Sequence, residues 1–281
     1  AYARVGEIQG HSYFSNLGQS VPAESSYARA RRLAEGALAV APGDTAARRA
    51  LAAALVGTGD MHYDANRLRE ALAAYRRAEM LRLALVEASP RDVGYQRALG
   101  AVRMRVGDVA GNDGYPNLGD RPAAREAYAL AAATYERVVA MALPDSDDAR
   151  AVLANVRLRQ GMVAQSAGDA TGAVGMLARA VATFDDLAAR HPENADYRAE
   201  LYAALSPLRI ALAESGRIDS AIAVSRRMVE GNGALLRDDP RNAILRRNLA
   251  VSYRALGRDL GSAGRAADAV EAQRRSVALT D

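Results

Sequence analysis

Residues 249–276 read LAVSYRALGRDLGSAGRAADAVEAQRRS, and the meaning of this stretch decides the fold. Tyr253, Leu256, Gly257 and Leu260 recur at helical spacing, Ser262-Ala263-Gly264 breaks the run, and Ala269 and Ser276 mark a second run. Apolar and small residues three, four and seven apart form one stripe along a helix. Glycine at the break supplies backbone angles that other residues avoid. The stretch therefore predicts two helices joined by a tight turn, and weaker copies of it recur along the whole chain.

Proline measures the recurrence. Pro42, Pro90, Pro144, Pro192 and Pro240 follow helical runs at separations of 48, 54, 48 and 48 residues. Unrelated loops would not hold such a spacing, so the steps define a repeat. Each proline stops a helix sharply, because its ring cannot continue one. Behind each comes a polar cluster able to cap the next helix: Asp44-Thr45, Asp92, Asp145-Ser146-Asp147, Asn194 and Asn242. Leu51, Leu99, Leu153, Leu201 and Leu249 repeat the same steps. First helices are expected over 46–56, 93–109, 149–166, 197–215 and 244–260. Second helices are expected over 68–87, 123–141, 173–189, 220–236 and 267–279. Ala71, Ala78, Ala127, Ala173, Ala180, Ala221 and Ala269 are expected where paired helices touch. The units run 1–41, 42–89, 90–143, 144–191, 192–239 and 240–281, all within a single array.

Composition narrows the class. Half of the 281 residues are apolar, only 5% are aromatic, and Trp is absent. Much of the apolar share is Ala, the strongest helix former. All basic residues are Arg, which points to a genomic bias toward Arg, and near balance by acidic residues leaves a net charge of +4. That charge is mild for a nucleic-acid binder of this length. With no Cys, disulfides, thiolate metal sites and Cys nucleophiles are excluded. No run of about 18 apolar residues is present to cross a membrane. The opening Ala1-Tyr2-Ala3-Arg4 reads as the inside of a helix, so material before Ala1 is expected.

Few residues suggest chemistry. His11, His62 and His191 lie in different units, with no ligand or dyad spacing around them. His62 reads as a packed or groove-lining residue, and His191 as a cation at a helix end. Asp147-Asp148, Asp185-Asp186 and Asp238-Asp239 read as solvated caps rather than acid–base pairs. Segments 6–18 and 107–119 share Gly, Gly, Asn, Leu and Gly at a constant offset of 101. A phosphate-cradling loop would need a preceding strand, so both read as enlarged inter-helix loops. Arg48, Arg150, Arg198 and Arg246 recur on first helices; Arg29, Arg77, Arg179, Arg227 and Arg275 recur on second helices. These ladders read as solvated faces with ion pairs of under about 1 kcal/mol each, the alternative being an anion-binding stripe.

The hairpins resemble tetratricopeptide repeats. Tyr253, Leu256, Gly257, Leu260, Ala269 and Ser276 carry the likeness in the last unit. Leu55, Gly59, Ala71, Tyr75 and Ala78 carry it in the second, and Gly161, Ala173, Leu177 and Ala180 in the fourth. The period exceeds the family's usual one, which implies longer helices. In the fifth unit Arg209 replaces the glycine, next to Pro207, so a kink or early break is expected there. More narrowly, residues 2–18 (YARVGEIQGHSYFSNLG) and the Asp239–Asn242 link look like the C-terminal repeats of bacterial serine/threonine protein kinases. The resemblance implies an all-α, right-handed solenoid of about six helix pairs, without catalysis or cofactor. First helices would then line a groove holding Val56, Tyr63, Met104, Asn155, Leu158, Met162, Gln165, Ser206, Ile210, Arg254 and Arg258. Its expected occupant is an extended or helical segment of a protein partner, the alternative being a neighbouring subunit.

Overall fold

A computed structural model describes residues 2–10, 17–141 and 146–280. Twelve helices account for the regular structure among these residues: α1 (Tyr2–Gly10), α2 (Ser20–Val40), α3 (Thr45–Asp64), α4 (Leu68–Ala88), α5 (Val93–Gly111), α6 (Arg121–Ala140), α7 (Ser146–Ser166), α8 (Ala170–Arg190), α9 (Ala195–Glu214), α10 (Ile218–Asp238), α11 (Ala243–Ser262) and α12 (Ala266–Ala278). Odd-numbered helices are the first members of the pairs and even-numbered ones the second. Neighbours in sequence pack together, α3 with α4, α4 with α5, α10 with α11 and α11 with α12. This is an all-α solenoid of helix pairs. The helices fall into two compact units, Ala1–Arg159 and Gln160–Asp281.

The caps form as their chemistry dictates. Asp44 accepts from the amides of Ala46 and Ala47, Asp92 from Tyr95, Asn194 from Asp196 and Tyr197, and Asn242 from Ile244 and Leu245. Pro144 and Asp145 lie outside the described residues. Arg48 Nη2 donates to the Pro42 carbonyl at 2.8 Å, Gln96 Nε2 to that of Pro90 at 3.0 Å, and Arg198 to that of Pro192. Two members of the first-helix arginine ladder, and a glutamine at the equivalent position, therefore stitch the link turns. Two residues before α6, α8, α10 and α12 stand Gly119, Gly168, Gly216 and Gly264, all at positive φ. Asn66 takes that position before α4, at φ 55°.

The first unit buries Leu51, Leu55, Val56, Tyr75, Leu99, Val102 and Val106 in one cluster. The second buries Leu177, Phe184, Leu187 and Leu205 completely, with Ile222, Leu260 and Ala272 packed together further along. Ala71, Ala78, Ala173, Ala180 and Ala221 are fully buried where helices touch; Ala127 is nearly so and Ala269 is half-buried. The repeat glycines have a steric cause. A Cβ added at Gly59 would stand 2.5 Å from Tyr75 Cε1, and one at Gly107 would stand 2.6 Å from Tyr128 Cε1. The phenol rings occupy the space that a side chain would need.

Two expectations are corrected. The first helix of the repeat over residues 42–89, α3, runs to Asp64 rather than stopping at Val56, because Gly57 and Gly59 are buried beneath tyrosine rings and do not terminate it. Of the kink or early break expected at Pro207, the break is absent: Ala195–Glu214 is one helix, as the 197–215 run announced, with Leu205, Leu208, Ala211 and Leu212 buried around the proline. Packing on those residues outweighs the one backbone hydrogen bond that proline removes.

Candidate partner-binding groove

The first helices carry a repeated face. Four residues per helix at i, i+3, i+7 and i+10 lie on it, as helical geometry requires. On α5 it comprises Ala101, Met104, Asp108 and Gly111; on α9 it comprises Ala203, Ser206, Ile210 and Ala213. Of the residues expected there, Tyr63, Met104, Asn155, Met162, Gln165, Ser206 and Ile210 are half-buried, and Arg254 and Arg258 are exposed. Val56 and Leu158 are buried in the packed interior, at 7% and 9% exposure, so they support the face rather than present it. Helices pressed on both sides by second helices hide residues that a bare helical stripe would expose.

In the first unit the face carries one carboxylate on α3 and one on α5, each paired with an arginine. Asp60 Oδ1 accepts from Tyr75 Oη at 2.7 Å and from Arg105 Nε at 2.8 Å. One repeat later, Asp108 Oδ1 accepts from Tyr128 Oη at 2.5 Å and from Arg159 Nε at 3.0 Å. Each set joins one first helix, its paired second helix and the next first helix. Burial, then the Asp108 charge, pushes the Tyr128 phenol far above its ordinary pKa, so it stays a donor. Arg159 Nη2 also donates to Tyr115 Oη at 3.1 Å, with its guanidinium 5.5 Å from the centre of that ring. This contact draws the loop between α5 and α6 toward the face. The matching positions in the first pair are Glu7, Tyr27 and Gly57, where the tyrosine ring covers the glycine in place of an arginine.

In the second unit the same positions hold Met162, Ile210 and Arg258. The polar set is rebuilt from other residues. Arg209 stands where a glycine is usual, and Ser225 where a tyrosine is. Arg209 Nη1 donates to Asp259 Oδ1 at 2.8 Å, and Ser225 Oγ to Oδ2 at 2.5 Å. The small serine leaves the room that the arginine fills. Gln165 Nε2 donates to Glu214 at 2.8 Å, and the Arg254 carbonyl accepts from Gln273.

The remaining candidates resolve into packing and pairing. Burial, then nearby Arg67, lowers the pKa of His62, whose Nδ1 has no hydrogen-bond partner among the described residues. His191 caps the end of α8, 3.6 Å from Glu193 and tilted on Tyr197. His11 lies outside the described residues. Asp147 pairs with Arg150, Asp185 with Arg227, Asp186 with Arg190, and Asp239 accepts from Asn242. On the second helices, Arg77 pairs with Glu35 and Arg275 with Glu271, while Arg29 lies over the Tyr2 ring. The described residues include no His/Asp/Glu cluster suited to a metal ion, and no helix long and apolar enough to cross a membrane.

Asp60 and Asp108 were absent from the sequence expectation. Counting the proline steps back from Met162 lands on Asp108 and then on Asp60, so the signal was present in the spacing.

No protein-family model and no curated protein matches the chain. Solved structures do. The crystal structure of BtubC (BKLC) from P. vanneervenii is similar with a TM-score of 0.57 at 17% identity, over 92% of this chain and 89% of that one. The TPR-like repeats of a putative kinesin light chain from Podosopora anserina match with a TM-score of 0.51 at 16% identity, over 80% of this chain and 92% of that one. The fold is that of TPR-like solenoids. At such low identity the likeness establishes the fold alone, and it agrees with the Gly–Tyr contacts described above.

Proposed function

We propose that this chain is a non-catalytic scaffold for protein–protein interaction, holding a peptide or protein segment on the faces of its first helices. One observation carries the reading: in the second unit Met162 and Ile210 stand at repeat-equivalent positions and keep partial exposure, while the residues on either side of each are buried. Partly exposed apolar side chains on successive first helices of one unit suit an extended or helical segment read by successive anchors. The TPR-like fold supports it, since stacked helix pairs present continuous surfaces of this kind. The narrower reading, a region of a bacterial serine/threonine kinase, rests on residues 2–18 and 239–242, and the reading frame upstream of Ala1 tests it.

The groove is tested with a photo-crosslinking residue at Ile210, compared with one at exposed Ala223 on the second helix α10. Discrete adducts from position 210 alone are expected. In the combined Met162→Glu and Ile210→Glu variant, recovery of the crosslinked partner is expected to fall about tenfold or more, from the apolar burial lost at the two anchors. Equal crosslinking at both positions, or full recovery by the folded double variant, rejects the face.

A further inference from the structure

Helices α3, α4 and α5 enclose a cavity of about 270 Å³ beside the link between α4 and α5. Its walls are apolar along Ala52, Ala53, Leu85 and Ala98, with Tyr95 contributing a ring. Arg49, Arg82 and Asp92 supply charge. Arg82 is largely withdrawn from solvent, and its Nη1 donates to the carbonyl of Ala98, itself a wall residue. That bond fixes the guanidinium at the cavity wall. Among the described residues no carboxylate pairs with Arg82 or with Arg49. Asp92 is engaged elsewhere, accepting from the Tyr95 amide at 2.9 Å as the cap of α5. The walls therefore carry two cations against one anion.

A withdrawn guanidinium with no carboxylate in direct contact is costly, because desolvation is only partly offset by the more distant Asp60 charge. The cost shows in the group itself: burial, then neighbouring Arg105, lowers its pKa to about 10. Four other withdrawn arginines, Arg103, Arg105, Arg159 and Arg209, each have a carboxylate within 3.0 Å. Arg82 faces a cavity instead. The volume lies just under the roughly 300 Å³ at which sites for drug-sized ligands begin.

We propose that this cavity is a binding site for a small organic monoanion, a carboxylate on a compact apolar body, with Arg82 as the anion's buried partner and Arg49 at the mouth. The apolar walls take the body, and the single excess positive charge selects a monoanion over a dianion. Ala53 is the α3 counterpart of Ala101 on the first-helix face, but the assignment does not rest on partner binding there.

Isothermal titration of the full chain with sodium benzoate tests the assignment, with benzyl alcohol as the neutral analogue of the same shape. Saturable one-site binding of benzoate is expected, with none for the alcohol. Arg82→Met is expected to weaken benzoate binding about tenfold to a hundredfold, the weight of one charge-assisted hydrogen bond. Ala53→Leu, which fills the cavity while leaving Arg82 intact, is expected to abolish it; circular dichroism verifies that each variant is folded. Absence of saturable binding, equal affinity for the alcohol, or undiminished binding by Ala53→Leu overturns the proposal. Should Arg82→Met fail to fold, the alcohol and Ala53→Leu still decide the matter.

Discussion

Removing the Asp259 carboxylate gives the most demanding test of how this solenoid is held together. Arg209 and Asp259 are 5% and 2% exposed and lie 50 residues apart on successive first helices. Asp259→Ala leaves a buried guanidinium without its anion and the Ser225 hydroxyl without its acceptor. Breaking a buried pair from one side costs about 3–5 kcal/mol, whereas replacing both partners by apolar residues of similar size is often neutral. With a urea dependence of about 1–3 kcal/mol per molar, the midpoint of the second unit should fall by about 1 M or more. The double variant Arg209→Leu with Asp259→Leu should recover most of that loss. Repeat arrays often depart from two-state unfolding, so hydrogen exchange of the α9 and α11 amides provides the local reading. Protection should drop in both helices of the single variant and return in the double. A single variant within about 0.5 kcal/mol of the parent, or a double variant as damaged as the single one, refutes the reasoning.

Glycine substitutions should divide by what surrounds them. Gly59→Ala places a methyl group against the Tyr75 ring and should destabilise by about 1–3 kcal/mol. Gly175→Ala, mid-helix in α8 with nothing within 4 Å, should stabilise by about 0.5–1 kcal/mol in thermal or urea unfolding. Burial favours the neutral imidazole of His62, so its folded pKa lies below the roughly 6.5 of an unfolded histidine. The stability it contributes is present above that value and is lost as the pH falls through it. An NMR titration should place its midpoint below about 6.5, and His62→Phe should lessen the loss of stability on acidification.

Much of the fold is legible in local chemistry. Proline stops, Asp and Asn caps and small residues at helical spacing act within one turn of the chain, so the helices begin and end close to where those residues stand. Asp44, Asp92, Asn194 and Asn242 cap the helices that their positions announce. The candidate face was only partly legible, because exposure depends on what packs from the other side. Val56 and Leu158 share the stripe of Met104 and Ser206, yet neighbouring helices cover them. Only the tertiary structure could unite Asp60 with Arg105 across 45 residues, or Arg209 with Asp259 across 50, since no local rule links positions so far apart. It also decided that Pro207 lies inside a continuous helix, where the packing of buried leucines outweighs a single missing hydrogen bond. Periodicity and capping are properties of the chain alone, whereas burial and ion pairing are properties of the space between helices.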